Sequence, residues 1–296
     1  MKTQTRHHLD ARNLSLGCPR FGFRARGFRA MVRRSIGISL FGLLAFFSAQ
    51  LVMAASPAEV AQEEYEDVMQ RRPNLENGER VYLICATCHL PEGWGSVDGN
   101  YPQIAGQLRT VIVKQLADFR AGNRENPLMY PFSVPGILGG PQDMADVAAY
   151  VARLPMTPHN GLGPGGNLAL GERLYADNCV DCHGAAGEGD VGKHIPAIAG
   201  QHYAYLMRQF EHIRGGLRKN SDPDMQEQIK GFSAEQQAAV LDFTSRLRPP
   251  AEKLAADGWI NPDFPHYLRD AINIPGAPPE PPASAPMPPV DPAPGH

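Results

Sequence analysis

The chain reads as all-α, two tandem helical domains, and three observations predict it. Residues 85–126 match a second stretch 94 residues further on without a gap; apolar residues in both copies fall at spacings of three and four; and nothing suggests an extended sheet. The anchors of the repeat are "CATCH" at 85–89 with "CVDCH" at 179–183, Pro102 with Pro196, and "IAGQ" at 104–107 with "IAGQ" at 198–201. Gln115, Arg120, Gly122, Arg124 and Asn126 pair in the same register with Gln209, Arg214, Gly216, Arg218 and Asn220. Upstream, "GERVYLI" and "GERLYADN" match once one residue is inserted.

Residues 1–55 form a pre-sequence. Arg33 and Arg34 precede a largely apolar run from Ile36 to Val52, and small residues Ala54, Ala55 and Ser56 mark a plausible cleavage point, the pattern of an export signal. An uncleaved anchor is the alternative, because the run approaches spanning length. Either way the body lies outside the cytoplasm. Of the chain's 28 Lys+Arg, nine lie in residues 1–55, with only one of its 31 Asp+Glu, so the remainder carries a formal charge of −11. That excludes a basic nucleic-acid footprint and favours partners with a basic docking face.

The first domain is placed at 56–156, the second at 167–248. In each, a first helix runs into the Cys motif from about Gly78 or Gly171. A middle helix follows the "AGQ" turn, with Leu108, Val111, Ile112, Gln115 and Phe119 on one stripe and Tyr203, Leu206, Met207, Phe210 and Ile213 on the other. A closing helix carries Met144, Val147, Ala148, Val151 and Leu154, then Val240, Phe243 and Leu247. Gly78 with Tyr82, and Gly171 with Tyr175, read as close helix crossings. Residues 157–166, rich in Gly and Pro, form a linker. In the C-terminal extension, 249–296, the aromatic and aliphatic residues of 258–274 are expected to lie against the second domain. From Pro275 the extension has ten prolines in 22 residues and is expected to stay extended or disordered.

Cys18 falls in the pre-sequence, so Cys85, Cys88, Cys179 and Cys182 are the cysteines of the body. A disulfide gives no reason for a histidine directly after the second cysteine, a zinc cluster of four thiolates leaves both histidines unexplained, and a thioredoxin-like pair needs a βαβ setting. A c-type haem accounts for all three residues: the thiols form thioethers to the porphyrin vinyls, and the histidine reaches the iron. Two covalently bound haems are therefore expected, with His89 and His183 as proximal ligands. Methionine in the sixth position favours electron transfer, whereas an open position permits chemistry on a small molecule. Met129, 40 residues after His89, and Met225, 42 residues after His183, are the candidates. Met144 and Met207 sit on apolar stripes, and Met156 lies at the domain's edge. A carbonyl near Pro102 and Pro196, 13 residues after each histidine, could accept the imidazole N–H and fix its tautomer. The other histidines after residue 55, His159, His194, His202, His212, His266 and His296, are expected to face solvent, with His194 and His202 as rivals to Met225.

These motifs resemble class I cytochromes c, and the duplication resembles the dihaem cytochrome c4 family. The resemblance covers about residues 73–248, carried by "CATCH", "YPQIAGQ" and "KQLADFRAGNREN", then by "CVDCH", "IPAIAGQ" and "RQFEHIRGGLRKN". It implies two helical cytochrome folds, His/Met ligation of both irons and periplasmic electron transfer, often to or from terminal oxidases. Segment 249–296 and the long N-terminus depart from the family pattern. The expected function is a dihaem electron carrier, not an enzyme, between an upstream donor and a membrane oxidase or reductase, with peripheral membrane association possible. Tunnelling between haems requires them close, so the domains are expected to pack with haem edges at their contact. The alternatives are the cytochrome subunit of a dehydrogenase, with the Pro-rich tail as docking arm, and a dihaem peroxidase-type enzyme lacking one Met ligand.

Overall fold

The computed structural model describes residues 54–264; the apolar run, Cys18, His266, His296 and the Pro-rich tail lie outside the described residues. These are helical, with two isolated bridges and no strand among them, and none of their helices is long and apolar enough to cross a membrane.

The first helix, α1 (Pro57–Gln70), lies ahead of the repeat and escaped the periodicity reading. Ser56 caps it: its hydroxyl accepts from Glu59 N–H, while the Glu59 carboxylate accepts from Ser56 N–H. Val68 then enters the core and Arg120 pairs with Glu64, fixing α1 on the middle helix. In the first half α2 (Leu75–His89), α3 (Arg109–Ala121), the short α4 (Tyr130–Ser133) and α5 (Pro135–Leu138), and α6 (Pro141–Arg153) follow. The second half repeats the plan with α7 (Leu168–Asn178), α8 (Val180–His183), α9 (Tyr203–Arg214), α10 (Pro223–Lys230) and α11 (Ala234–Arg246).

The inserted residue upstream of the second motif has a structural consequence. Where α2 runs unbroken to His89, its counterpart breaks at Cys179, φ −120° and ψ −32°, and restarts as α8. Both entry helices cross their closing helices at the repeated glycine. A Cβ at Gly78 would stand 2.3 Å from Asp146 O, and one at Gly171 2.1 Å from Ala239 O, so only glycine lets these backbones touch. Four residues on, Tyr82 packs on Tyr150 at 5.4 Å between centroids, and Tyr175 on Phe243 at 5.6 Å. Two cores result: Val68, Tyr82, Val113, Met144 and Val151 in the first, and Tyr175, Leu206, Phe210, Ile229 and Val240 in the second.

Residues 155–166 contain no helix but are pinned at both ends. Thr157 N–H donates to Gln103 Oε1, and the Asn160 amide donates to Gln201 O and Ser245 O. The segment after residue 248 corrects an expectation: Pro249 still touches Gly200 of the second half, but Trp259, Asn261 and Phe264 lie against the first half. Met156 N–H donates to Lys253 O and Ala255 N–H to Met156 O; Asn261 then donates from its amide to Pro91 O and Tyr150 Oη, and Asp263 accepts from Tyr150. Trp259 packs on Trp94 at 5.9 Å and Phe264 on Tyr82 at 5.8 Å. Trp259 and Phe264 do pack, but the larger first core supplies their partners.

Candidate functional site

Cys85, Cys88 and His89 occupy the last turns of α2, where spacings of three and four set them on one face. Cys179, Cys182 and His183 follow the same order across the break and α8. Burial pushes the thiols of Cys85 and Cys179 up to about 12. Among the described residues no three His, Cys, Asp or Glu side chains converge on a metal.

His89 and His183 are buried, at 6% and 8% exposure, and burial holds both imidazoles below their ordinary pKa. Each Nδ1 lies 3.0 Å from the predicted carbonyl, Pro102 O and Pro196 O. A carbonyl only accepts, so Nδ1 carries the hydrogen and the neutral ring keeps its lone pair on Nε2. That is the tautomer a proximal haem ligand requires, and the donor set of each half fits one c-type haem. Repeated glycines make room for the carbonyl loop. At Gly95 (φ 69°) a Cβ would lie 2.5 Å from Pro102 O, and at Gly189 (φ 75°) 2.6 Å from Pro196 C.

Met129 is the partly buried N-cap of α4, between exposed Leu128 and Tyr130; Met225 sits in the first turn of α10, at the border of the second core. Each thus arrives from a different element than its histidine. Met144 is fully buried, Met156 packs under Gly106, and the Met207 sulfur accepts from the Gln237 amide at 3.8 Å. His202 corrects the solvent-facing expectation: it is 2% exposed, with Nδ1 accepting from Gly161 N–H and Nε2 donating to Trp94 O. Both nitrogens are engaged, which removes it as a rival to Met225. His194 is partly buried against Tyr65.

The sequence showed repeated polar residues but not their purpose, which is the seam between the halves. Arg124 donates to Gln115 Oε1 of its own half and Gln209 Oε1 of the other; Arg218 donates to Gln209 and, across the seam, to Gln115. Burial, then the neighbouring Arg124, lowers Arg218 to about 9. Gln107 and Gln201 form a second reciprocal pair. Gln201 accepts from Gln103 N–H at 3.0 Å and donates to Gln103 O at 2.9 Å; Gln107 accepts from Ala197 N–H at 3.0 Å and donates to Ala197 O at 2.9 Å. Identity at a polar position in both copies was the available signal. A local pattern does not say which surface meets which.

A family model described as "Cytochrome c" matches residues 168–247. A cytochrome c4 of Thiocapsa roseopersicina is 35% identical over 175 residues, 55% of this chain and 87% of that protein. The chain belongs to the cytochrome c4 family. A "Thiosulfate dehydrogenase electron acceptor" of Stutzerimonas stutzeri is 33% identical over 191 residues, 58% of this chain and 86% of that one. The solved structure of reduced cytochrome c4 from Pseudomonas stutzeri superposes with a TM-score of 0.54 at 26% identity, covering 60% of this chain and all of that one. This cytochrome c4-family chain is a dihaem electron-transfer protein, with covalently bound haem c as its cofactor and redox proteins as its partners.

Proposed function

We propose that the chain is a periplasmic carrier in which His89 and Met129 ligate one iron and His183 and Met225 the other. In this reading residues 56–156 and 167–248 are the two haem domains, 157–166 joins them, and single electrons pass between an upstream dehydrogenase and a membrane oxidase or reductase. When bound, the haems supply one-electron iron chemistry. The chain's residues do the rest: thiols anchor, the neutral imidazoles offer Nε2, and the apolar cores exclude water. The observation that carries the reading is the pair of buried histidines, each held by its Nδ1–H on a carbonyl 13 residues along, in two matched copies. Both histidines also stand one peptide away from the seam, which supports haem edges meeting there.

Relatives described as acceptors of thiosulfate dehydrogenase, one from Stutzerimonas stutzeri and one from Thiomonas intermedia, favour a sulfur-compound dehydrogenase as donor. The acidic body favours a basic docking face on that donor. Stopped-flow reduction by a purified thiosulfate dehydrogenase tests both points: the second-order rate should be fast at low salt and fall steeply as ionic strength rises. A slow, salt-independent rate would count against this class of donor.

A further inference from the structure

The reciprocal glutamine pair does more than hold the halves together. The peptide joining Pro102 to Gln103 has two hydrogen bonds: its C=O accepts from His89 Nδ1–H at 3.0 Å, and its N–H donates to Gln201 Oε1 at 3.0 Å. In the other half, the peptide joining Pro196 to Ala197 accepts from His183 Nδ1–H at 3.0 Å and donates to Gln107 Oε1 at 3.0 Å. Each proximal histidine is therefore one peptide unit from a glutamine of the opposite half. Both glutamine oxygens also accept the following residue's N–H, Leu108 or His202, at 3.0 Å. That second bond fixes the oxygen at the start of the middle helix. Gln201 and Gln103 are buried, at 8% and 3% exposure, so this link is shielded from competing water.

We infer that Gln107 and Gln201 are crossed positioning residues: Gln201 of the second half tunes the haem on His89, and Gln107 of the first half tunes the haem on His183. This rests on the proposed His ligation. A peptide whose N–H donates has a more negative carbonyl oxygen, because hydrogen bonds in series polarise one another. A more negative oxygen draws the Nδ1 hydrogen away from the imidazole, makes Nε2 a stronger donor and favours ferric iron. Each glutamine thus lowers the potential of the opposite haem. The fold thereby couples the two sites through their ligands.

Gln201→Met and Gln107→Met in the full-length dihaem protein test this, with midpoint potentials followed haem by haem through hyperfine-shifted NMR resonances. The expected result is crossed: Gln201→Met raises the potential of the His89 haem and leaves the His183 haem in place, and Gln107→Met does the reverse. A shift of the same-half haem, equal shifts of both, or no shift overturns the inference. Gln103→Ala serves as control, since it removes side-chain bonds to Gly200 O and Thr157 N–H but keeps the peptide itself. It should move neither haem selectively; a selective rise at the His89 haem there would equally overturn it. If methionine prevents folding, Gln201→Glu and Gln107→Glu keep the accepting oxygen and charge it. They should lower the potential of the opposite haem more than that of their own, and the reverse order overturns the inference. Loss of Met–iron absorption in the unaltered protein would count against the ligand assignment. Unmoved potentials in variants that keep that absorption would count against the crossed tuning alone.

Discussion

Immediately after the first proximal histidine, Leu90 holds φ 67° and ψ 158°, a backbone region that is essentially reserved for glycine; the second half has Gly184 there, at φ 80° and ψ 163°. The carbonyl of each residue accepts a tyrosine hydroxyl from the entry helix of its own half, Tyr82 at 2.8 Å and Tyr175 at 2.7 Å, so the conformation is held in the same way in each copy. Leu90→Gly should relieve that strain and stabilise the protein by roughly 1 kcal/mol, after the entropy that glycine adds to the unfolded chain. Guanidinium denaturation measures it; an unchanged or lower midpoint would show that Leu90 packing outweighs the strain. Met129 and Met225 carry the other residue-scale prediction. Met129→Leu and Met225→Leu should each remove about half of the far-red Met–iron absorption, because each substitution strips one of two equivalent ligands. Full absorption after either change would place the sixth ligand elsewhere.

At the scale of elements, the entry, middle and closing helices were legible because burial and helical period coincide in them, as at Met144, Val147 and Val151. Helix α1 was not, since it lies ahead of the duplicated stretch and has no second copy to mark it; its signal was the capping box from Ser56 to Glu59, a local hydrogen-bond pattern. The extension after residue 248 was legible as something that packs but not as to where. Its partners, Tyr82, Trp94 and Tyr150, lie more than a hundred residues away, and composition carries no information about pairing at that range. Asn261 is the polar centre of that contact. Asn261→Ala should destabilise the protein by about 1–3 kcal/mol, because it removes donors to Pro91 O and Tyr150 Oη inside a buried contact. Thermal unfolding of the holoprotein checks this, and a loss well under 1 kcal/mol would make the strap a passive cover.

For the whole molecule, duplication set the haem sites and the seam together. The spacing of thiols and histidine is visible in either copy, and its repetition is what pointed to haem. The roles of Gln107, Gln201, Arg124 and Arg218 could not be read in this way, because each acts on the opposite copy and only a folded pair shows it. Two matched sites joined by a reciprocal seam fit a dihaem carrier of single electrons. The most direct test of that claim is a potentiometric titration of the purified protein followed by its optical spectrum. Two one-electron steps, with Met–iron absorption belonging to both ferric haems, are the predicted result. A single step, or one ferric haem that lacks the absorption and binds cyanide rapidly, would contradict it.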